Sequence, residues 1–349
     1  MKINAYAMLK TLLFTLQNGK NISSGMLVLA KSARTKRERK TYLKIYDDIK
    51  EGSTFSQALS KNNVGSLDML SFIAMAEQSA SFRIALQKLI KYLEVKDEFQ
   101  RESNDKVSLP VIYFGIATII VFGIKFFAVP YQIQRAQGYS KEIVSLIAEH
   151  LQMAQVMTDA LFVGLVVVGS YFMILLLSLF NNSYYVQGVA KQLALLLPFS
   201  AAIVMKFEKF MLFGMLGEML QSGISFKKAI LSAIETTTVT RFKKALHESL
   251  ESIRTDGKFI LHSRLYDDVE QALLVGAGSS SQIGAVMLEI SDRSRTDALE
   301  LSTKFFRMIT LLSILLMAFA VFIEFYTVVL TQILIQKGLI DAARGVGSF

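Results

Sequence analysis

The chain has 349 residues, of which 52% are hydrophobic and only 19% are charged. A mean hydropathy of +0.41 is typical of an integral membrane protein that also carries soluble domains. The absence of cysteine excludes disulfides, thiol catalysis and cysteine metal sites. Only three prolines occur, which favours long helices, and we predict an all-α fold.

The net charge of +9 is concentrated in the N-terminal third. Residues 1–109 hold 18 Lys/Arg against 11 Asp/Glu, whereas residues 131–159 hold only two cations, Arg135 and Lys141. Such an excess beside one membrane face follows the positive-inside rule, so we expect a cytoplasmic N-terminus and no nucleic-acid partner. No cleavable signal peptide is expected, because Asn18-Gly19-Lys20 follows the first apolar segment where a cleavage site would need small residues.

Residues 1–108 alternate amphipathic segments with turn signals, which predicts a compact cytoplasmic helical bundle. Gly19 and Gly52 each supply a helix stop. Between them lies a dense basic run, which is either a solvated helix face or a contact for anionic lipid headgroups or an acidic partner. The run comprises Arg34, Lys36, Arg37, Arg39 and Lys40.

Glu77 lies in a stretch of small and polar residues, Ala76-Glu77-Gln78-Ser79-Ala80. Two interpretations are open. Glu77 is an ordinary surface or capping carboxylate, or it is a polar hinge or partner contact at the edge of the bundle.

Three apolar segments are long enough to cross a membrane. They predict transmembrane helices at 109–130, 160–180 and 307–335, joined by a short periplasmic connection (131–159) and a second cytoplasmic bundle (181–306). A short periplasmic tail, 336–349, follows. The segment 193–205 is apolar but contains Pro198, and its length favours a buried or interfacial helix; the alternative is a further crossing.

Lys125 and Glu324 are the ionisable residues well inside the predicted spans. Each costs about 2.5–3.5 kcal/mol at the bilayer centre. Their depths are similar and their charges opposite, so we expect an intramembrane pair within one chain or between subunits. The alternatives are snorkelling to the outer interface and, for Glu324, a contact with a partner's positive N-terminus.

The two halves of the chain carry weak internal similarity. Leu16-Gln17-Asn18-Gly19 recurs as Leu220-Gln221-Ser222-Gly223, and Gly52 matches Gly257. The offset is 204 to 205 residues in these segments and falls to 200 at Ser79 and Ser279 and in the spans. The consistent order of these matches predicts a duplicated unit, with Gly19, Gly52, Gly223 and Gly257 as its elbows.

On these motifs, the chain resembles the polytopic inner-membrane platform proteins of type II secretion and type IV pilus machines. The resemblance also rests on Ile49-Lys50-Glu51-Gly52, on Pro110 and Pro130 around the first span, and on Leu197-Pro198. This chain departs from the family's Gly-Glu-x-Ser/Thr-Gly motif in both halves. Around Glu77 alanines replace both glycines, and the second stretch, Gly276-Ala277-Gly278-Ser279-Ser280, lacks the glutamate. These departures favour a type IVb pilus system.

The resemblance implies a non-enzymatic, homo-oligomeric platform that couples a hexameric motor ATPase to pilin insertion or removal, beside other inner-membrane assembly proteins. No phosphate-binding Gly-x-x-x-x-Gly-Lys-Ser/Thr motif occurs, and we expect no cofactor. The histidines lack metal-ligand spacing. The alternatives are a type II secretion platform and, from another class, a small-solute transporter subunit, although three nearly featureless spans differ from the broken helices of transporters.

Overall fold

The structure is a computed structural model that describes residues 4–79, 81–136, 141–180, 184–256 and 266–346. Helices account for most of these residues and no strand occurs among them, which confirms the all-α prediction for this part of the chain. Two π-helical turns, Ile124–Ala128 and Tyr326–Leu330, interrupt the α-helical pattern. The α-helices are α1 (Ala5–Gln17), α2 (Ile22–Ser32), α3 (Lys36–Lys50), α4 (Phe55–Lys61), α5 (Leu67–Glu77), α6 (Phe82–Gly123), α7 (Val129–Ala136), α8 (Lys141–Phe180), α9 (Tyr184–Leu196), α10 (Ser200–Gln221), α11 (Phe226–Thr236), α12 (Thr240–Asp256), α13 (Asp268–Gly276), α14 (Ser280–Phe325) and α15 (Thr331–Val346).

The chain forms two compact units. Unit 1 contains Met1–Glu102 and Ser178–Glu300, and unit 2 contains Ser103–Leu177 and Leu301–Phe349. The helices of both predicted bundles therefore pack within one unit, while nearly all of the predicted membrane-spanning residues belong to the other. The assignment of 1–108 and 181–306 to separate cytoplasmic domains remains a prediction.

Local capping explains where the first helices of unit 1 begin. A polar side chain just before each of α1 to α4 accepts a hydrogen bond from a backbone N–H of the first turn. In α3 and α4 the third helical residue returns the contact to the backbone of the cap, which completes a capping box. The capping residues are Asn4, Asn21, Thr35 and Thr54.

Three of the four predicted elbow glycines adopt left-handed backbone angles just after a helix. The φ angles are +72° at Gly19 after α1, +98° at Gly52 after α3 and +83° at Gly223 after α10. A side chain would be strained in this region, which explains glycine at these positions. Gly257 lies outside the described residues.

Helix α10 is the central helix of unit 1. Phe213, Leu216 and Met219 are buried, and the polar Glu208 and Glu218 are buried as well. A helix with almost no preferred apolar face is buried on all sides. At Gly217, α10 approaches α14 so closely that an added Cβ would lie 2.8 Å from the carbonyl oxygen of Gly284.

The ambiguous segment 193–205 does not form one helix. Helix α9 has 13 residues and ends at Leu196, and α10 begins at Ser200 after a break at Pro198 and Phe199. Ile203 and Val204 are buried in unit 1. The structure therefore supports the interpretation of this segment as buried or interfacial, because thirteen helical residues reach only about 20 Å of the roughly 30 Å hydrocarbon core.

Three helical stretches among the described residues are long and apolar enough to cross a membrane: Phe82–Arg135, Gln152–Leu179 and Ser280–Lys337. They contain the three predicted spans except for Phe180, the last residue of the second, which confirms the prediction of three long apolar helices. The helical structure exceeds the predicted bounds, because Pro110 lies inside α6 and α8 already begins at Lys141. Unit 2 has its own apolar core, which includes Ala117, Val121, Ile124, Leu161, Leu165, Ala320 and Ile323.

Candidate functional site

The predicted basic run lies at the corner between α2 and the start of α3, and all five of its side chains are exposed or only partly covered. Thr35 caps α3, and the carboxylate of Glu38 is used in the capping box at 3.2 Å from the Thr35 nitrogen. Within the described residues, none of the five cations has an ion-pair partner. Cations in the first turn of a helix oppose its dipole. Helix stability therefore does not explain the run, and it remains a candidate surface for an anionic partner.

The second half of the chain holds a smaller basic cluster. Applying the offset of 204 to Arg37, Arg39 and Lys40 gives Arg241, Lys243 and Lys244 at the start of α12. This cluster was not among the residues predicted from the sequence, although the offset and the residue types indicate it.

Glu77 lies at the end of α5, and its carboxylate caps the neighbouring helix α4. It accepts hydrogen bonds from the backbone N–H of Phe55 at 2.5 Å and from the hydroxyl of Ser56 at 2.5 Å. A carboxylate at a helix N-terminus satisfies free N–H groups and interacts favourably with the helix dipole. The structure thus shows the capping interaction; a partner contact at Glu77 remains a prediction.

We expect Glu77→Ala to lower the free energy of unfolding by about 0.5–2 kcal/mol, because the first turn of α4 loses the acceptor that Glu77 supplies in addition to the Thr54 cap. Glu77→Gln keeps one acceptor oxygen and should lose less. Denaturant unfolding of the detergent-solubilised protein measures both values. Gln78→Ala, at the exposed neighbouring position, is the control and should change little. Equal stability of Glu77→Ala and the parent protein would contradict the capping role.

Ionic and aromatic contacts join the two halves of the chain within unit 1. The buried Glu218 of α10 lies 3.5 Å from Lys88 and 3.3 Å from Lys91 of α6. Farther along α6, the ring of Phe99 packs against those of Phe207 and Phe210, with centroids 5.2 and 5.0 Å apart. These contacts bind the first half to α10, so that the two halves share one core.

Additional ion pairs link α14 to α6. Arg295 lies 2.9 Å from Glu102 and 3.3 Å from Glu98. The Arg295 side chain is only 18% exposed, whereas Glu98 and Glu102 are 59% and 41% exposed, so the two pairs lie at the solvent-facing edge of this interface.

A polar cavity of about 480 Å³ lies between the two halves in unit 1. On one wall, Asp68 pairs with Lys96 at 2.7 Å and accepts a hydrogen bond from the Tyr92 hydroxyl at 3.0 Å. On the other wall, Lys191 pairs with Glu208 at 2.6 Å. The charged groups are paired with one another, so the cavity shows no catalytic constellation among the described residues.

Charge pairing determines the protonation of both carboxyl groups. Burial alone would raise the pKa of Asp68, but Lys96 and the hydrogen bonds around the carboxylate lower it to about 2. Burial likewise opposes ionisation of Glu208, and Lys191 with the Thr237 hydroxyl outweighs it and holds the pKa of Glu208 below its ordinary value. Both groups therefore remain carboxylates at neutral pH.

The lowered pKa of Asp68 predicts an acid-sensitive contribution to stability. A carboxyl with a lower pKa in the folded state stabilises the protein above its unfolded pKa of 3.8, and this contribution is lost as the pH falls toward about 2. It amounts to about 2 kcal/mol. We expect the stability difference between the parent protein and Asp68→Asn to shrink over this pH range. Asp97→Asn, which breaks an exposed pair, is the control; an unchanged difference for Asp68→Asn would contradict the assignment.

In unit 2, Lys125 lies in the first π-helical turn and pairs with Asp159 at 2.8 Å. Its ammonium group also lies over the ring of Phe162, 4.4 Å from the centroid. The predicted intrachain pair with Glu324 is therefore not formed: among the described residues Glu324 has no ion-pair partner, and its buried Oε2 accepts no hydrogen bond. A Lys125–Glu324 pair between subunits remains a prediction.

Asp159 was not predicted as the partner of Lys125, because hydropathy places it in the connection 131–159 rather than in a span. The signal was available: Lys125 lies near the end of the first predicted span, and Asp159 immediately precedes the second. Consecutive spans are antiparallel, so these positions have similar depth. Together with Thr158 and Gln155 they line a second cavity, of about 360 Å³.

We expect Lys125→Ala and Asp159→Ala to be energetically coupled. Residues in contact show interaction energies of about 0.5–3 kcal/mol in double-mutant cycles. Denaturant unfolding of the two single variants and the double variant measures the coupling. The Lys125→Ala/Glu324→Ala cycle is the comparison and should be nearly additive within one chain. Coupling in that cycle and additivity in the first would contradict the observed pairing.

No group of three metal-ligating His, Cys, Asp or Glu side chains occurs among the described residues. His150 lies 3.1 Å from the hydroxyl of Tyr326. His262 lies outside the described residues. The prediction that the histidines do not form a metal centre remains an expectation for the chain as a whole.

Among the described residues, three apolar helical stretches long enough to cross a membrane, together with a further helical unit, are the features of a polytopic α-helical membrane protein. Residues 8–130 match the family model "Type II secretion system (T2SS), protein F". The chain is also 24% identical over 110 residues to the type IV pilus assembly protein PilC of Thermus thermophilus. That match covers 30% of this chain and 27% of the relative's length. These matches confirm the resemblance to the platform proteins of type II secretion and type IV pilus systems.

Proposed function

We propose that this chain is the inner-membrane platform of a type IV pilus machine. It couples a cytoplasmic hexameric motor ATPase to the insertion of pilin subunits into the fibre or their removal from it. The observation that carries the proposal is the family match over residues 8–130, which spans the first helical half and the first apolar helix. The pilus assembly protein among its relatives favours a pilus over a secretion machine.

A type II secretion platform is the second candidate, because the matching family model is named for that system. Both machines use the same class of protein, so the chain's fold does not separate them. The identity of the fibre subunit does: isolation of the tagged chain with a pilin supports the first function, and isolation with a secretion-system pseudopilin supports the second.

In this proposal the internal similarity of the two halves reflects one helical module used twice, which gives the platform two similar surfaces. Helices α1 and α2 end at Gln17 and Ser32, and α10 and α11 end 204 residues later at Gln221 and Thr236. Each half also ends in a long apolar helix that is interrupted by a π-helical turn. In this proposal the two modules face the ATPase from the cytoplasm, and the chain transmits motion without catalysing a reaction.

The basic run of the first copy is the proposed contact with the ATPase. Its cations point to solvent and oppose the dipole of α3, so an acidic protein surface would relieve this repulsion. The test compares recovery of the ATPase with the tagged chain in detergent. Arg37→Ala/Arg39→Ala/Lys40→Ala should reduce recovery several-fold and weaken the response to salt.

The second copy offers a matched control for this experiment. Arg241→Ala/Lys243→Ala/Lys244→Ala removes the same charge from the corresponding place. Unchanged recovery with the first triple variant contradicts a contact at the basic run. Equal losses in both variants show that total charge, rather than the first copy, controls binding.

The proposed orientation has a separate test. Because the chain contains no cysteine, single cysteines at the exposed positions Ser279 and Gln152 provide unique labels. A cytoplasmic N-terminus with three crossings places these positions on opposite sides. Membrane-impermeant reagents should then label Gln152→Cys from the periplasm and Ser279→Cys only after permeabilisation of the membrane. Labelling of both from one side contradicts the layout.

A further inference from the structure

Helix α9 carries an exposed apolar stripe along one face. Four of its side chains recur at spacings of three and four residues and are between 43% and 82% exposed. Phe199, just beyond the helix, is 69% exposed and extends this surface. The stripe consists of Val186, Val189, Leu193 and Leu196.

The opposite face of α9 is fixed against unit 1. Ala190 and Ala194 are buried there, and the buried ammonium group of Lys191 pairs with Glu208 of α10. These contacts set the rotation of the helix about its axis. The apolar stripe is therefore held outward, and it is not available to the core of unit 1.

The charge pattern distinguishes this stripe from an ordinary solvent-facing surface. Between Tyr184 and Met205, Lys191 is the only charged residue, and it is buried. Gln192 is the exposed polar side chain between the apolar positions of α9, and it hydrogen-bonds to Thr240. Contiguous exposed apolar surface of this kind marks a site that is covered in the functional state.

Chain connectivity indicates what covers it. Helix α9 begins four residues after Phe180, which ends the helix containing the apolar stretch Gln152–Leu179. Four residues reach at most about 14 Å. The start of α9 is therefore tethered close to the place where that stretch would leave the bilayer, and with 13 residues α9 is too short to cross it.

The end of α9 likewise indicates that the bilayer surface covers the stripe. The helix breaks at Pro198, and Phe199 adopts a φ of +62°, which is an uncommon conformation for a residue with a side chain. The break directs the chain into the buried α10 while the ring of Phe199 stays outside the core of unit 1. A side chain that is 69% exposed gains little burial from the described protein, whereas the acyl boundary of a bilayer would bury the Phe199 ring.

We propose that α9 is an in-plane membrane-surface helix, whose stripe and Phe199 are embedded at the boundary between lipid headgroups and acyl chains. The helix then fixes unit 1 to the bilayer surface at a second place besides the spans. This inference does not depend on the proposed pilus function. It requires only that the apolar stretches cross a membrane.

The absence of tryptophan makes the proposal directly testable. Phe199→Trp and Leu196→Trp each place a single fluorophore on the surface in question. The full chain is reconstituted into phosphatidylcholine vesicles that contain lipids brominated either near the headgroup or near the acyl-chain end. We expect about a two-fold loss of emission with bromine near the headgroup and a smaller loss with deep bromine, because interfacial helices insert about 5–10 Å.

Two aromatic positions provide matched controls. Phe319→Trp, in an apolar stretch, should be quenched by deep bromine, and Phe14→Trp, exposed on α1 of unit 1, should not be quenched. Circular dichroism verifies that each variant is folded. Emission from positions 196 and 199 that is unaffected by bromine overturns the proposal; if it is also blue-shifted, a second copy or another protein covers the stripe. If deep bromine quenches the emission from positions 196 and 199 more strongly than bromine near the headgroup does, the proposal is overturned and the segment crosses the bilayer.

Discussion

Lys191→Ala should lower the free energy of unfolding by about 3–5 kcal/mol, the largest effect expected of a single substitution considered for this protein. Lys191 and Glu208 lie 2.6 Å apart, and their side chains are only 5% and 6% exposed. Removal of the ammonium group leaves a buried carboxylate that keeps its hydrogen bonds to the Thr237 hydroxyl and the Thr238 backbone but loses its counter-charge. Denaturant unfolding in detergent, followed by circular dichroism, measures the loss.

Two variants control this experiment. Lys191→Met/Glu208→Gln removes both charges, while the amide oxygen of the introduced glutamine can still accept a hydrogen bond from Thr237, so this variant should recover most of the lost stability. Arg101→Ala breaks an exposed pair with Asp97 and should cost about 0.5 kcal/mol or less. If Lys191→Ala costs no more than Arg101→Ala, the buried pair does not hold α9 to α10.

Gly217→Leu should be the second most damaging change, with an expected cost of about 3 kcal/mol, and Gly217→Ala should cost about 1–3 kcal/mol. A Cβ at this position would lie 2.7 Å from the side chain of Leu288 and 2.8 Å from the backbone oxygen of Gly284. The backbone of α14 cannot yield as a flexible side chain can. The two helices must separate, and the packed core around α10 loses contacts.

Gly188→Ala is the matched control for Gly217→Ala. Gly188 also lies in a helix of unit 1, but an added Cβ there would meet only Thr238, at 3.8 Å. Alanine has the higher helix propensity, so this variant should gain about 0.5–1 kcal/mol or stay unchanged. Equal effects of alanine at positions 188 and 217 in denaturant unfolding would contradict the close approach of α10 and α14.

Patterns confined to one segment predicted its structure well. The three apolar stretches follow from runs of hydrophobic residues, and the left-handed turns at Gly19, Gly52 and Gly223 follow from the end of an apolar period at a glycine. The family resemblance was likewise carried by short motifs in a consistent order. These features depend on neighbours along the chain, and the sequence displays such neighbours directly.

Pairings across the chain were predicted less well. Similar depth predicted a pair of Lys125 with Glu324, whereas the structure pairs Lys125 with Asp159. The sequence assigned Asp159 to the connection because the predicted second span begins at Ala160. Glu77 illustrates the same difficulty. Its capping contact with Phe55 and Ser56 depends on α5 ending beside the start of α4, which no periodicity reveals.

The sequence by itself determined the helical class, the three apolar stretches, the internal similarity and the related family, because composition and local periodicity carry this information. Only the tertiary structure decided that α10 lies in one core with both halves, that Lys191 and Glu208 form a buried pair, and that α9 turns its apolar face outward. The reason is physical: a charged or apolar residue is compatible with several surroundings, and the packing of distant helices selects one of them.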